Sequence, residues 1–118
     1  VIFLLALPGI STAQDKTTEN ARKADRHEFV KRGVHASELP LGDYVIVSVF
    51  QTEDNAKAMK KEYVKQNFPE AQYGYLTNKQ LWYIYFGVTT GIEEAKKKRD
   101  EFRKNQLFQD AWLLTVHQ

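Results

Sequence analysis

The chain repeats itself at a spacing of 39 residues, and that duplication constrains its fold more than any other feature. Tyr44 aligns with Tyr83, Val45 with Ile84, Val47 with Phe86, Ser48 with Gly87 and Val49 with Val88. Farther along, Ala56 aligns with Ala95, Lys57 with Lys96, Glu62 with Glu101, Tyr63 with Phe102 and Lys65 with Lys104. After one inserted residue, Phe68-Pro69-Glu70-Ala71 aligns with Phe108-Gln109-Asp110-Ala111. Each copy reads strand, helix, strand. A supersecondary unit used twice predicts the α+β class and, in finer detail, a β-α-β-β-α-β ferredoxin-like or RNP-like sandwich. The expected sheet is four-stranded and antiparallel, with two helices on one face and the other face open.

Local chemistry places each element. Tyr44 to Phe50 is rich in β-branched and aromatic residues and follows Gly42-Asp43, which predicts a strand. Thr52 is positioned to cap a helix whose first turn carries Glu53 and Asp54, acids favoured there by the helix dipole. Ala56, Met59, Tyr63 and Val64 supply its apolar stripe. Pro69 stops this helix, and Thr77-Asn78-Lys79 joins strands Gln72 to Leu76 and Leu81 to Gly87 as a hairpin. A second helix begins at Thr90 or Gly91, repeats the acidic start with Glu93 and Glu94, and carries a thinner stripe of Ile92, Ala95 and Phe102. Lys98, aligned with Met59, is expected to lay its methylenes on the core while its ammonium reaches water. Ala111 to Val116 is the last strand. Right-handed crossovers then put the first and third strands in the middle of the sheet.

The residues before the repeat differ in kind. Residues 1–14 read as a truncated signal peptide: Val1 to Leu7 is apolar and uncharged, Pro8-Gly9 breaks it, and Ser11 and Ala13 suit a cleavage site. A short buried strand or helix is the alternative. The run falls short of the roughly 20 residues that a membrane-crossing helix needs, so an exported, periplasmic protein without a transmembrane span is expected. Residues 15–40 read as a polar linker, with a loose helix over Ala21 to Gly33; a helix packed through Phe29 and Val30 is the alternative. Residues 41–118 are the expected domain. The absence of cysteine excludes disulfides, thiolate metal sites and a cysteine nucleophile. A formal charge of only +2 argues against nucleic acid as a partner.

Side chains alternate along a strand, so the faces separate on paper. Val45, Val47, Val49, Ile84 and Phe86 are expected under the helices. Tyr44, Ile46, Ser48, Tyr83 and Tyr85 are expected on the open face, in water. Exposed phenol rings in a cluster carry apolar area that favours a partner. A sugar suits them, because its C–H face stacks on the ring while its hydroxyls bond at the rim. Against this stands the stabilisation that cross-strand aromatic pairs give a sheet by themselves, about 0.2–1 kcal/mol each. Elsewhere the chemistry is sparse. His27, His35 and His117 are scattered, without metal-ligand spacing. The acid pairs Glu53-Asp54 and Glu93-Glu94 are explained by their helix starts. Lys57, Lys60, Lys61 and Lys65, like Lys96-Lys97-Lys98-Arg99, read as solvated helical faces. No nucleophile with its base and no phosphate loop is visible, so neither an enzyme nor a cofactor or metal is expected.

Tyr44-Val45-Ile46-Val47-Ser48-Val49-Phe50, followed by Thr52 and Asn55-Ala56-Lys57, resembles the opening of a SPOR domain. That family reads Tyr-x-Val-Gln-Val-Gly-Ser-Phe and then Asn-Ala. Tyr83 to Val88 with Glu93-Glu94-Ala95 is similar to its second half, and Asp110-Ala111-Trp112-Leu113-Leu114 to its last strand. The resemblance covers Leu41 to Val116. It implies a cell-envelope module, often gathered at the division site, that binds peptidoglycan glycan strands stripped of stem peptides. It also implies that Tyr44, Ile46, Ser48, Tyr83 and Tyr85 contact the glycan. Ile46, Ser48 and Val49 stand where the family has Gln, Gly and Ser, which makes the face more apolar. Another envelope protein, held by the same face, is therefore the alternative partner.

Overall fold

The structure is a computed structural model and describes residues 26–118. The signal-peptide reading of residues 1–14, and the linker reading up to residue 25, fall outside the described residues. The elements run β1 (His27–Lys31), β2 (Gly42–Phe50), α1 (Glu53–Lys65), β3 (Ala71–Leu76), β4 (Leu81–Thr89), α2 (Ile92–Arg103), a 3-10 turn (Gln106–Phe108) and β5 (Trp112–His117). They form an α+β fold with one five-stranded sheet, in the order β1-β5-β2-β4-β3.

The helix ends follow from their residues. The Thr52 side chain accepts a hydrogen bond from the amide of Asn55 at 3.3 Å, satisfying one of the unpaired donors of α1. Gly91 caps α2 without any side-chain bond, leaving Glu93 and Glu94 to meet the dipole. The two helices pack on one side of the sheet, where Ala56, Tyr63 and Ala95 meet Val45, Ile84, Phe86 and Leu113.

Two expectations are corrected. The sheet has five strands rather than four and is mixed rather than antiparallel, because β1 runs parallel to β5. β1 occupies part of the stretch read as linker or loose helix. Its residues, His-Glu-Phe-Val-Lys, show neither a strand nor a helix period, since Val30 alone is buried and Phe29 is 65 % exposed. As an edge strand it needs one ladder of backbone bonds and one buried residue, which leaves little apolar signal.

The second correction concerns the face away from the helices. Tyr44, Ile46 and Tyr83 lie there inside a second apolar cluster with Val30, Leu39, Leu76, Trp112 and Leu114. Part of its cover comes from the segment between β1 and β2. The Leu39 amide bonds to the Tyr75 carbonyl at 3.0 Å, and the Tyr75 amide bonds to the Ser37 carbonyl at 2.9 Å. Leu39 then lies over Gly74, where a Cβ would come within 2.3 Å of the Leu39 Cδ2. Glu38 anchors this crossing. Its carboxylate accepts bonds from the amides of Gly33 (2.7 Å), His35 (3.1 Å) and Thr77 (3.1 Å) and from the Thr77 hydroxyl (2.6 Å).

Candidate binding face

The two central strands of the repeat, β2 and β4, are antiparallel neighbours, but their pairing is not regular. Tyr44 pairs with Val88, Ile46 with Tyr85 and Ser48 with Ile84. β4 therefore carries an extra residue between Tyr85 and Val88, where Gly87 has φ +72°, and β2 carries one between Ile46 and Ser48. Each bulge shifts the alternation by one position. Ser48 turns under the helices, where its hydroxyl bonds to that of Tyr63 at 2.6 Å, and Val49 turns to the opposite face. Both were expected the other way round. Val45, Val47, Ile84 and Phe86 do lie on the helix side.

Tyr44, Ile46, Tyr83 and Tyr85 share the face away from the helices, yet they do not form a row of rings in water. Tyr44 and Ile46 are 0 % exposed and Tyr83 is 1 % exposed; Tyr85 is half-buried. The Tyr44 hydroxyl donates to the Pro40 carbonyl, and its ring meets Tyr85 edge-on at 4.8 Å. The Tyr83 ring lies 6.2 Å from Trp112, and the Arg26 guanidinium sits 3.6 Å above the indole of Trp112. Apolar residues that pack with the face, Val30 and Leu39 among them, account for part of this burial, and removing such apolar area from water is favourable.

Burial also sets the acidity of these phenols. It raises Tyr44 well above its usual value, with Tyr85 adding to the rise and Arg32 opposing it. Tyr83 is pushed up to about 12 by burial, with Glu28 raising and Arg26 lowering it. Burial raises Tyr85 as well. All three stay protonated, and so remain hydrogen-bond donors, throughout the neutral range.

One residue of the face was not found from the sequence. Gln72 is the cross-strand partner of Tyr85, exposed beside its half-exposed ring. Its signal was the register of the hairpin Ala71 to Thr89, which cross-strand counting back from the turn would have supplied. Tyr85 and Gln72 together offer a ring face flanked by an amide able to donate and accept.

A second polar arrangement crosses β1, β5 and β2. The Thr115 hydroxyl donates to Asp43 at 2.6 Å and lies 2.7 Å from the His27 Nε2. The single hydroxyl proton goes to Asp43, so His27 must be the donor in its own bond. Thr115 is therefore not a nucleophile activated by His27; the line serves to hold the edge strand in register. Burial lowers the His27 pKa, with Asp43 opposing and Lys96 and Arg99 assisting. His35 lies tilted against Tyr75, ring centroids 4.5 Å apart, while His117 is exposed at the end of β5. Among the described residues no group of His, Asp or Glu is gathered to hold a metal ion. No helix among them is long and apolar enough to cross a membrane.

Comparison with protein-family models, with curated proteins and with solved structures finds no match to this chain.

Proposed function

We propose that the chain is a non-catalytic module of the bacterial cell envelope that binds peptidoglycan glycan strands in the periplasm. In this reading β2-α1-β3-β4-α2-β5 is the ferredoxin-like unit of a SPOR domain, and β1 is an addition to its edge. The observation that carries it is the adjacency of β2 and β4, the strands with the family-like segments, with Tyr44, Ile46, Tyr83 and Tyr85 on the face away from the helices. The burial of three of these four narrows the contact. Tyr85 and Gln72 receive the sugar, the ring by stacking and the amide by hydrogen bonding, while Tyr44 braces the Tyr85 ring edge-on.

The test is co-sedimentation of the full chain with cell-wall sacculi, before and after amidase removal of stem peptides. The chain should pellet, more strongly after amidase treatment, and Tyr85→Ala should reduce pelleting about tenfold while keeping the native circular dichroism. A wild-type chain that stays in the supernatant overturns the ligand. A Tyr85→Ala variant that pellets like wild type overturns the site.

One observation favours a second reading, a protein-interaction module on the same scaffold. Ile46 is fully buried at the centre of the face, where a glycan reader needs a polar contact. Recovery of a specific envelope protein by cross-linking through position 85, together with failure of the sacculus assay, would establish it.

A further inference from the structure

The helix side of the sheet holds a cleft of ≈640 Å³ between the end of α1, β4 and α2. Phe68, Phe86 and Phe102 form its apolar walls, and Gly87 and Lys98 lie within it. The volume falls in the range of about 300–1,000 Å³ typical of small-molecule sites.

The internal duplication provides a built-in comparison. Gly87, Lys98 and Phe102 align with Ser48, Met59 and Tyr63 of the first copy. There the space is closed: Ser48 and Tyr63 are bonded through their hydroxyls at 2.6 Å, and Met59 packs on the same core. In the second copy each of the three residues differs in a way that leaves the space open. Gly87 has no side chain and occupies a left-handed conformation, φ +72°, that few other residues adopt. Phe102 has no hydroxyl to reach across and instead stacks on Phe86, with centroids 4.7 Å apart and planes 18° from parallel. Lys98 crosses over the bare backbone, its Nζ 3.0 Å from where a Gly87 Cβ would stand. Lys98 is half-buried, and its ammonium makes no hydrogen bond or ion pair with another described residue.

A lysine that lays its stem across a cleft walled by three phenyl rings, with no carboxylate bonded to its ammonium, suits an anionic group attached to an apolar body. The exposed carboxylates of Glu70 and Glu101 border the same cleft and oppose a second negative charge. We infer that this cleft is a binding site for a small monocarboxylate with an aromatic or branched apolar body, its carboxylate on Lys98 and its body against Phe68, Phe86 and Phe102. The site lies across the sheet from Tyr85 and Gln72 and does not depend on the glycan reading.

The experiment titrates the isotope-labelled full chain with 3-phenylpropanoate and, separately, with neutral 3-phenylpropan-1-ol, following backbone amides by NMR. The acid should shift the amides of Phe86, Gly87 and Phe102 and bind about tenfold or more tightly than the alcohol. Lys98→Gln should abolish that preference, and Lys98→Met, which restores the residue type of the first copy, should weaken both ligands by refilling the cleft. Equal binding of acid and alcohol overturns the inference, as does acid binding by Lys98→Gln at the wild-type level. So does the absence of shifts up to about 10 mM acid, the millimolar regime of weak binding. Should either variant lose its dispersed spectrum, the acid-to-alcohol ratio of the wild type decides the matter alone.

Discussion

Glu38 shows how one side chain fixes the placement of a segment. It is 6 % exposed, and burial alone would raise its pKa; bonds from the Thr77 hydroxyl and from the amides of Gly33, His35 and Thr77 outweigh that and hold it below the usual 4.5. A carboxyl depressed in the folded state stabilises the fold above its unfolded value and loses that contribution as pH falls through its folded value. Glu38→Gln should therefore lower stability at neutral pH by about 1–3 kcal/mol, since its amide NH₂ faces donors rather than acceptors. As pH falls below the usual 4.5 and through the lower folded value, the difference from wild type should shrink. Urea melts of both proteins across the acid range check this. The tyrosines make a complementary residue-scale case. Tyr83→Ala should cost about 3–5 kcal/mol, as expected for emptying a buried aromatic site. Tyr85→Ala, at the half-exposed rim, should cost far less, and thermal melts separate the two. Residue type was legible at these positions, whereas environment was not. Tyr44, Tyr83 and Tyr85 look alike in the sequence, and alternation correctly put them on one face. Whether that face meets water depends in part on Leu39 crossing over Gly74, a contact between residues 35 positions apart.

Among the elements, the legible ones were those with strong local chemistry. The Thr52 cap, both acidic helix starts and the hairpin at Thr77-Asn78-Lys79 all lie where local patterns put them. β1 was not legible, because a parallel edge strand with one buried valine carries almost no periodic signal. The bulges in β2 and β4 were missed for a different reason. The bulge in β2 changes which way Ser48 and Val49 point without changing the strand's composition, and Gly87 marks only the other bulge, in β4. The contribution of β1 and the following segment can be measured. Burying one aliphatic side chain stabilises by about 1.5–3 kcal/mol, so losing both Val30 and Leu39 should cost about 3–6 kcal/mol. A chain beginning at Leu41 should accordingly unfold at lower denaturant than one beginning at Arg26. Equal midpoints would mean that the segment adds nothing to the core.

For the whole molecule, duplication gives two similar halves that differ at the pairs Ser48/Gly87, Met59/Lys98 and Tyr63/Phe102. One sheet separates two apolar clusters, the first under the helices and the second around Tyr44, Ile46 and Tyr83. The two candidate ligand places lie on opposite sides of that sheet: the rim at Tyr85 and Gln72 on one side, and the cleft at Lys98 on the other. The same burial sets an alkaline limit. Tyr83 rises from 10 to about 12 in the fold, so its contribution is complete below pH 10 and is lost as pH rises through the folded value. The central claim is that a glycan strand meets this protein at the rim of the sheet face away from the helices. NMR titration of the full chain with soluble glycan fragments lacking stem peptides tests it most directly. The account predicts shifts centred on Tyr85 and Gln72 and fading toward Tyr44. A spectrum that does not change, or one whose changes fall on the helix side instead, would contradict it.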